Sequence, residues 1–339
     1  MMLLQRIERL LQKKAVVLMY HRIAEPPTDP WLLSVSPAHF EQQLQVLCSR
    51  YKVISLQELI TQHTRGTITS KSVCLTFDDG YRDNYLVAKP LLEKYGCPAV
   101  FFLPTHFIGS NQLFWWDELE QIMLRQPRLP VTFNLVLQGQ PFAFELADES
   151  LLTLELQKKH QVWSAYTPPP TRRCQLYYTL WEKIRPLPLP EAVALTAQIR
   201  QWAAPTHPAS DTDLPINARH LHGLQSQPLC SIGLHTDTHP DLASHSAQVQ
   251  RSELVESIRY FQNNLGQQVH TLAYPYGRYN NTTLSLAKEL DLQAAFTTFD
   301  EPVTKHADRH QLGRFQVQNW QGDKFGLQMR RWTKTWFDW

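Results

Sequence analysis

Three short stretches of this 339-residue chain carry side chains that could do chemistry, and each directly follows an apolar run. The first is Leu75-Thr76-Phe77-Asp78-Asp79-Gly80. A strand that ends in two adjacent carboxylates brings two charges to the rim of a sheet, and both stay charged only if a cation neutralises them, as a bound metal would. The competing reading is structural: Asp-Gly is a turn, and Asp78 caps the helical pattern from Tyr81 to Tyr95. The second stretch is His235-Thr236-Asp237-Thr238-His239-Pro240. Two imidazoles four residues apart share one face if the segment makes a helical turn, which suits chelation of a divalent ion. The chain has 14 histidines, so either one alone reads as an ordinary surface residue. The pair, placed after a strand as Asp79 is, points to a ligand set. The third stretch, Ala273-Tyr274-Pro275-Tyr276-Gly277, has the Pro and Gly of a tight turn that can aim a backbone N–H into a site or simply join a strand to a helix. His21, in Met19-Tyr20-His21-Arg22, ends the first apolar run.

Some element must gather residues so far apart. Short apolar, β-branched runs recur at 15–20, 53–55, 73–77, 99–103, 231–234, 271–274, 294–298 and 315–317, each followed by a turn and a helical pattern. Continuous rather than alternating runs imply strands covered on both faces, as in a parallel sheet under outer helices. Ser36 and Pro37 read as a cap and first helical position, with Phe40, Leu44 and Leu47 on one face. In a βα barrel the C-terminal strand ends share one mouth, so residues from the three stretches and His21 meet there. Asp79, His235 and His239 would then leave a fourth position for water, as a hydrolytic zinc site requires. The rhythm breaks in the middle of the chain. There, Pro clusters (168–170; 186, 188, 190), a hairpin pattern around Gln138-Gly139-Gln140 and helical stretches at 151–163 and 191–202 read as one insertion. The expected organisation is a barrel in two parts, 1–106 and 230–318, a mainly helical insertion at 107–229, and a tail at 319–339.

Composition narrows the function classes. Lys plus Arg is 33 and Asp plus Glu is 31, a net charge of +2 with no basic stripe outside the short C-terminal tail, so nucleic acid is not an expected partner. With 43% hydrophobic and 19% charged residues, the chain is neither disordered nor fibrous nor a polytopic membrane protein. The five cysteines, Cys48, Cys74, Cys97, Cys174 and Cys230, are widely spaced without a CxxC pair, which argues against a disulfide framework or thiolate zinc site and suits a reducing compartment. At the N-terminus, Leu3, Leu4, Ile7, Leu10 and Leu11 form one helical face that ends in Lys13 and Lys14 and lacks a signal-peptide core, so a cytoplasmic location is expected. Phe325, Met329, Trp332, Trp336 and Trp339 make a second apolar stripe beside Arg330, Arg331 and Lys334. That stripe either packs on the barrel or, alternatively, rests in the headgroup zone of a membrane.

In this order, the Thr76–Gly80, His235–Pro240 and Tyr274–Gly277 segments resemble the polysaccharide deacetylase family (NodB homology domain, carbohydrate esterase family 4). Val16-Val17-Leu18-Met19-Tyr20-His21-Arg22-Ile23, Val35-Ser36-Pro37 and Phe114-Trp115-Trp116-Asp117 look like its bacterial surface-polysaccharide branch. The likeness covers 15–106 and 230–318. It implies an α/β fold, a deformed (β/α)7 barrel, and metal-dependent removal of an acetyl group, first of all N-acetyl, from a sugar. By position, Asp79, His235 and His239 would hold a divalent metal, with zinc favoured by the N/O ligands. Asp78 would be the general base, and the backbone N–H of Tyr276 would help hold the oxyanion. Tyr274 and Pro275 would contact substrate, while Trp115 and Trp116 would either stack on a sugar or serve as buried packing.

Two positions depart from the family pattern. Ala273 stands where the family commonly has an Arg, and Arg314 where it often has a His. Arg314 is therefore expected to supply the missing positive charge. An Arg cannot donate a proton at neutral pH, so the general acid is sought at His21 first, then at His306 or His310. The expected partner is an acetylated sugar or glycan, with a lipid-linked carrier and a tail contact at the inner membrane face as its extension. The alternatives are an amidase acting on a non-sugar substrate and a non-catalytic carbohydrate-binding relative. The missing third-motif Arg supports the second of these, and the intact Asp78, Asp79, His235 and His239 oppose it.

Overall fold

The computed structural model describes residues 13–137, 139–204 and 211–333. The leading amphipathic segment before Lys13, together with Trp336 and Trp339, lies outside the described residues. The strands are β1 (Ala15–Tyr20), β2 (Lys52–Val53), β3 (Ser72–Phe77), β4 (Ala99–Leu103), β5 (Thr132–Leu137), β6 (Gln140–Glu145), β7 (Cys230–Leu234), β8 (Thr271–Ala273), β9 (Ala294–Phe296) and β10 (Phe315–Gln316). Eight of them form one sheet in the order β10-β1-β3-β4-β7-β8-β9, with β2 added to β3. Every ladder in it is parallel. All residues of β1, β3 and β4 are buried, which is why their sequences run apolar without alternation. Between β9 and β10 there is no continuous ladder. The seam is held by a bridge from Phe296 to Leu312 and by the Arg314 N–H donating to the Phe299 carbonyl at 2.9 Å. This is the deformation in the α/β barrel.

The helix starts follow the local signals. Ser36 caps α1 (Pro37–Arg50) by accepting from the His39 N–H, Pro37 occupies the first turn, and Phe40, Leu44 and Leu47 are buried. Ser55 caps α2 (Leu56–Thr64) in the same way. After β3 the expected helix is broken into two kinds of turn. Asn84–Ala88 is wound as a π turn, with the Lys89 N–H reaching back five residues to the Asn84 carbonyl, and α3 (Lys89–Tyr95) follows. Pro90 has no N–H for the α-helical ladder, and the wider turn falls just before it.

The chain divides into two compact units. One holds the residues up to Ala24, Ser34–Gly109, and everything from Ile216 onward; the other holds Glu25–Leu33 and Ser110–Pro215. The boundary at 215 rather than 229 has a simple cause. The helix Ala218–Gln225 buries Leu221 and Leu224 in the core of the first unit. The second unit contains the β5–β6 hairpin, paired antiparallel with Val136 opposite Pro141, and helices that include Arg172–Ile184 and Leu189–Ala203. Its interior holds a fully buried Arg173, whose guanidinium donates to the carbonyls of Gln126, Glu149 and Ser150 at 2.6–2.8 Å.

The tail helix, Gly322–Thr333, packs its described stripe inward. Phe325 and Met329 are fully buried in the core of the first unit, and Trp332 stacks on Phe315 at 4.7 Å. Over these three residues the stripe packs on the barrel, the first of the two readings of it, with Trp332 half-buried at its edge. No helix among the described residues is long and apolar enough to cross a membrane.

Candidate active site

Just past β3 the backbone reverses, with Asp79 at φ +69° and Gly80 at φ +69°. Gly tolerates this left-handed region freely, whereas for an Asp it is a local strain of order 1 kcal/mol that the surroundings must hold. A Cβ on Gly80 would lie 2.7 Å from Leu103 Cδ2, a methyl that would have to shift. The Asp78 N–H still donates to the Tyr20 carbonyl at 3.0 Å, continuing the β1–β3 pairing, while Asp79 is turned away from it.

After β7, His235 and His239 are brought together without the helical turn that their spacing suggested. The segment is a bend with Thr236 at φ +65° and His239 at φ +58°. Side chains rather than helical hydrogen bonds fix it. Glu253 accepts from the N–H groups of Asp237 and Thr238 and from the Thr238 hydroxyl at 2.6–3.0 Å, and the Thr105 hydroxyl donates to Asp237 at 2.7 Å.

Asp79 Oδ1 lies 3.3 Å from His235 Nε2 and 3.2 Å from His239 Nε2, and all three residues are buried. One ligand atom from each can be chosen so that all lie within 4.8 Å of one another. His235 Nδ1 sits 2.7 Å from the Ala273 carbonyl, which can only accept, so the ring proton belongs there and a neutral ring presents its Nε2 lone pair to a carboxylate oxygen. Two acceptors facing each other in a buried pocket are an arrangement that a cation between them satisfies. The donor set therefore fits a divalent metal. Burial raises the Asp79 carboxyl, but the two imidazoles beside it lower it by more, to well below the ordinary carboxylate range, and a cation in their midst would act in the same sense. Burial lowers His239.

Beside this cluster, Asp78 is gripped by the fully buried Arg314. Arg314 Nη1 and Nη2 donate to the two Asp78 oxygens at 2.8 and 2.7 Å, a parallel fork, while Nη1 also reaches the Thr76 hydroxyl at 3.1 Å and Nε the Thr297 carbonyl at 3.0 Å. Burial pushes Asp78 up, yet the charge of Arg314 wins and the carboxyl is held below its ordinary value. Arg314 reaches Asp78 from the β9–β10 seam, a different route from the strand that carries Ala273.

His21 stands half-buried at the end of β1, directly after Tyr20, whose carbonyl accepts from the Asp78 N–H, so the strand pairing brings it beside the carboxylate pair. Its Nδ1 is a buried atom without a hydrogen-bond partner, and its carbonyl accepts from Asn84 Nδ2 at 2.7 Å. Tyr276, half-buried at φ +58°, sets its ring 4.7 Å from that of His239.

Other expectations are corrected. Tyr274 is fully buried, with its hydroxyl donating to the His310 carbonyl at 2.9 Å, and Pro275 is buried as well, so both shape the loop and expose no surface to a substrate. Trp115 and Trp116 are only 6% and 7% exposed; Trp116 stacks on Phe114 at 4.6 Å, and this packing leaves no open ring face for a sugar. Of the secondary proton-donor choices, His310 is buried with Nε2 tied to the Leu292 carbonyl at 2.8 Å, and His306 is exposed on a loop.

The sequence reading passed over the braces. Thr76 donates to the Leu18 carbonyl while accepting from Arg314. Asp83 accepts from Arg22 Nε at 3.1 Å, from the Ile23 N–H at 3.0 Å and from Asn84 at 2.8 Å, holding the chain just after His21. The available signal was adjacency: Arg22 follows His21, and Asp83 and Asn84 lie within five residues of Asp79.

Comparison with known proteins agrees with this geometry. The family model described as polysaccharide deacetylase matches residues 65–126 and 206–295. A poly-beta-1,6-N-acetyl-D-glucosamine N-deacetylase of Staphylococcus epidermidis is 22% identical over 335 residues, covering 95% of this chain and 84% of the relative. Among solved structures, the Streptococcus pyogenes deacetylase PplD in complex with acetate aligns at a TM-score of 0.54 with 22% identity, over 94% of this chain and 98% of that one. IcaB from Ammonifex degensii aligns at 0.52 with 20% identity, over 95% and 97%. At these identities the structural likeness bears on the fold, which is that of the α/β deacetylase barrels. Over those two segments the chain matches the polysaccharide deacetylase family, a class of hydrolytic enzymes.

Proposed function

We propose that this protein removes N-acetyl groups from an acetylated hexosamine polymer of the poly-β-1,6-N-acetylglucosamine kind, using a divalent cation, zinc before others, held by Asp79, His235 and His239. The observation that carries this reading is the ionised Asp78, forked by Arg314, beside a buried Asp/His/His ligand set. A binding module needs no second carboxylate held in that way. The substrate for which the Staphylococcus epidermidis relative is named supports the choice of polymer.

A cation bound there supplies a lowered pKa for water and polarises an acetyl carbonyl. Asp78 accepts the proton of the attacking water. Arg314 keeps that carboxylate ionised between turnovers and fixes its orientation through two parallel bonds. The backbone N–H of Tyr276, carried on a left-handed residue, offers a donor to the developing oxyanion. His21 gives a proton to the leaving amine, with Asn84 and Asp83 holding its backbone still. A lipid-linked form of the glycan, met in the cytoplasm at the inner membrane face, is the extension of this reading, and a non-sugar amide is its competitor.

The test is acetate release from an N-acetylglucosamine oligomer, run beside a simple non-sugar acetamide. Asp78→Asn is expected to lose about 10²–10⁴-fold in rate while its zinc content is unchanged. Turnover by Asp78→Asn at the wild-type rate would remove the base assignment, and faster release from the non-sugar amide would move the substrate class. His21→Ala is expected to lower kcat with little change in KM; full turnover by that variant would remove the proton donor.

A further inference from the structure

Away from the candidate active site, the fold brings two thiols together that the sequence spacing gave no reason to pair. Cys48, near the end of α1, and Cys97, directly after the left-handed Gly96 that closes α3, have their sulfurs 3.4 Å apart. Both sulfurs also face the Tyr95 carbonyl at 3.7 Å. Cys48 is exposed and Cys97 buried. The other three cysteines stay apart from this pair in character: Cys74 and Cys174 are buried, and Cys230 is half-buried.

We propose that Cys48 and Cys97 form a dithiol that a small disulfide oxidant, of the oxidised-glutathione class, closes into a disulfide, tying α1 to the entrance of β4. The exposed thiol meets the reagent first. The Cys48 thiolate attacks one sulfur of the small disulfide, so that a mixed disulfide forms and one small thiolate leaves. The Cys97 thiolate then attacks the Cys48 sulfur. The Cys48–Cys97 bond forms, the mixed bond breaks and the second small thiolate leaves. The two cysteine protons end on the two released thiols, and the oxidant takes up two electrons. Burial and the neighbouring Cys48 push the Cys97 thiol up to about 12, so it stays inert until Cys48 has reacted. Capping Cys48 removes the negative charge that opposed ionisation of Cys97 and leaves the target sulfur beside it. Bonding needs the sulfurs to approach by a further ~1.4 Å to the usual disulfide length of ~2.05 Å. The loop that closes contains β2, α2 and β3, together with Asp78 and Asp79, so the bond restrains the unfolded chain around the carboxylate turn.

The experiment uses the full chain, purified reduced, incubated with oxidised glutathione and alkylated before peptide mapping without reductant. The expected result is a Cys48–Cys97 linked peptide pair, a fall in free thiols from five to three (five less the paired two), and a Tm higher by about 5–10 °C that returns on reduction. Cys48→Ser, a surface change, should abolish the linked pair and the Tm shift together. A glutathione adduct that persists on Cys48, a different cysteine pair as the main product, or a Cys48→Ser protein that keeps the oxidant-dependent Tm shift would each overturn the proposal.

Discussion

A buried carboxylate is useful as a base only while it is ionised and stationary, and Asp78 achieves both through Arg314. The planar fork matters as much as the charge, because Lys offers a point charge and cannot make two parallel bonds. Arg314→Lys is therefore expected to lower kcat about 10–100-fold with KM nearly unchanged and metal content intact. Steady-state kinetics with metal analysis checks this. Arg314→Met should be worse for the fold than for binding, since it leaves Asp78 buried and unpaired at a cost of about 3–5 kcal/mol, readable by urea denaturation. The motif order made Asp78, Asp79, His235 and His239 legible at this scale. The guanidinium that Ala273 failed to supply was legible only as a need, met by Arg314 from 236 residues away.

At the scale of elements, the site depends on turns that hold non-glycine residues in the left-handed region: Asp79, Thr236, His239 and Tyr276. Gly277 completes the last of these turns at φ +66°, and a Cβ there would lie 2.1 Å from Thr298 Oγ1. Gly277→Ala is expected to destabilise the barrel by roughly 1–3 kcal/mol and to shift Tyr276, lowering kcat; thermal melts and kinetics together would show both. In the second unit, the helix Trp115–Glu120 ends in a buried Glu120 that pairs with Arg125 at 2.6 Å and accepts from the Thr28 hydroxyl. Burial costs the charged form more than Arg125 returns, and the carboxyl is pushed up to about 8. A group raised in the folded state stabilises fully below its unfolded value near 4.5, and this contribution is lost as pH rises through about 8. Unfolding free energy should fall by a few kcal/mol between pH 5 and 8, and Glu120→Gln should flatten that slope.

For the whole molecule, a metal held by Asp79, His235 and His239 would be coupled to the fold, because these residues, just past β3 and β7, converge only in the native state. Chelation should abolish acetate release and lower the Tm, zinc should restore both, and Asp79→Asn should erase the chelator-dependent Tm difference. Much of the architecture was legible from local physics. Continuous apolar runs located the strands because the sheet is covered on both faces, Ser36-Pro37 located α1 because capping is a four-residue event, and motifs placed after strands located the rim. What the sequence determined by itself was therefore the order of the elements and the residue types delivered to their ends. Only the tertiary structure decided the fork from Arg314 to Asp78, the bent rather than helical path between His235 and His239, the burial of Tyr274, Trp115 and Trp116, and the meeting of Cys48 with Cys97. The physical reason is range. Strand periodicity and caps are written within a few neighbouring residues, whereas burial and pair distances are set by strand neighbours such as β10, β1 and β3, brought together from opposite ends of the chain.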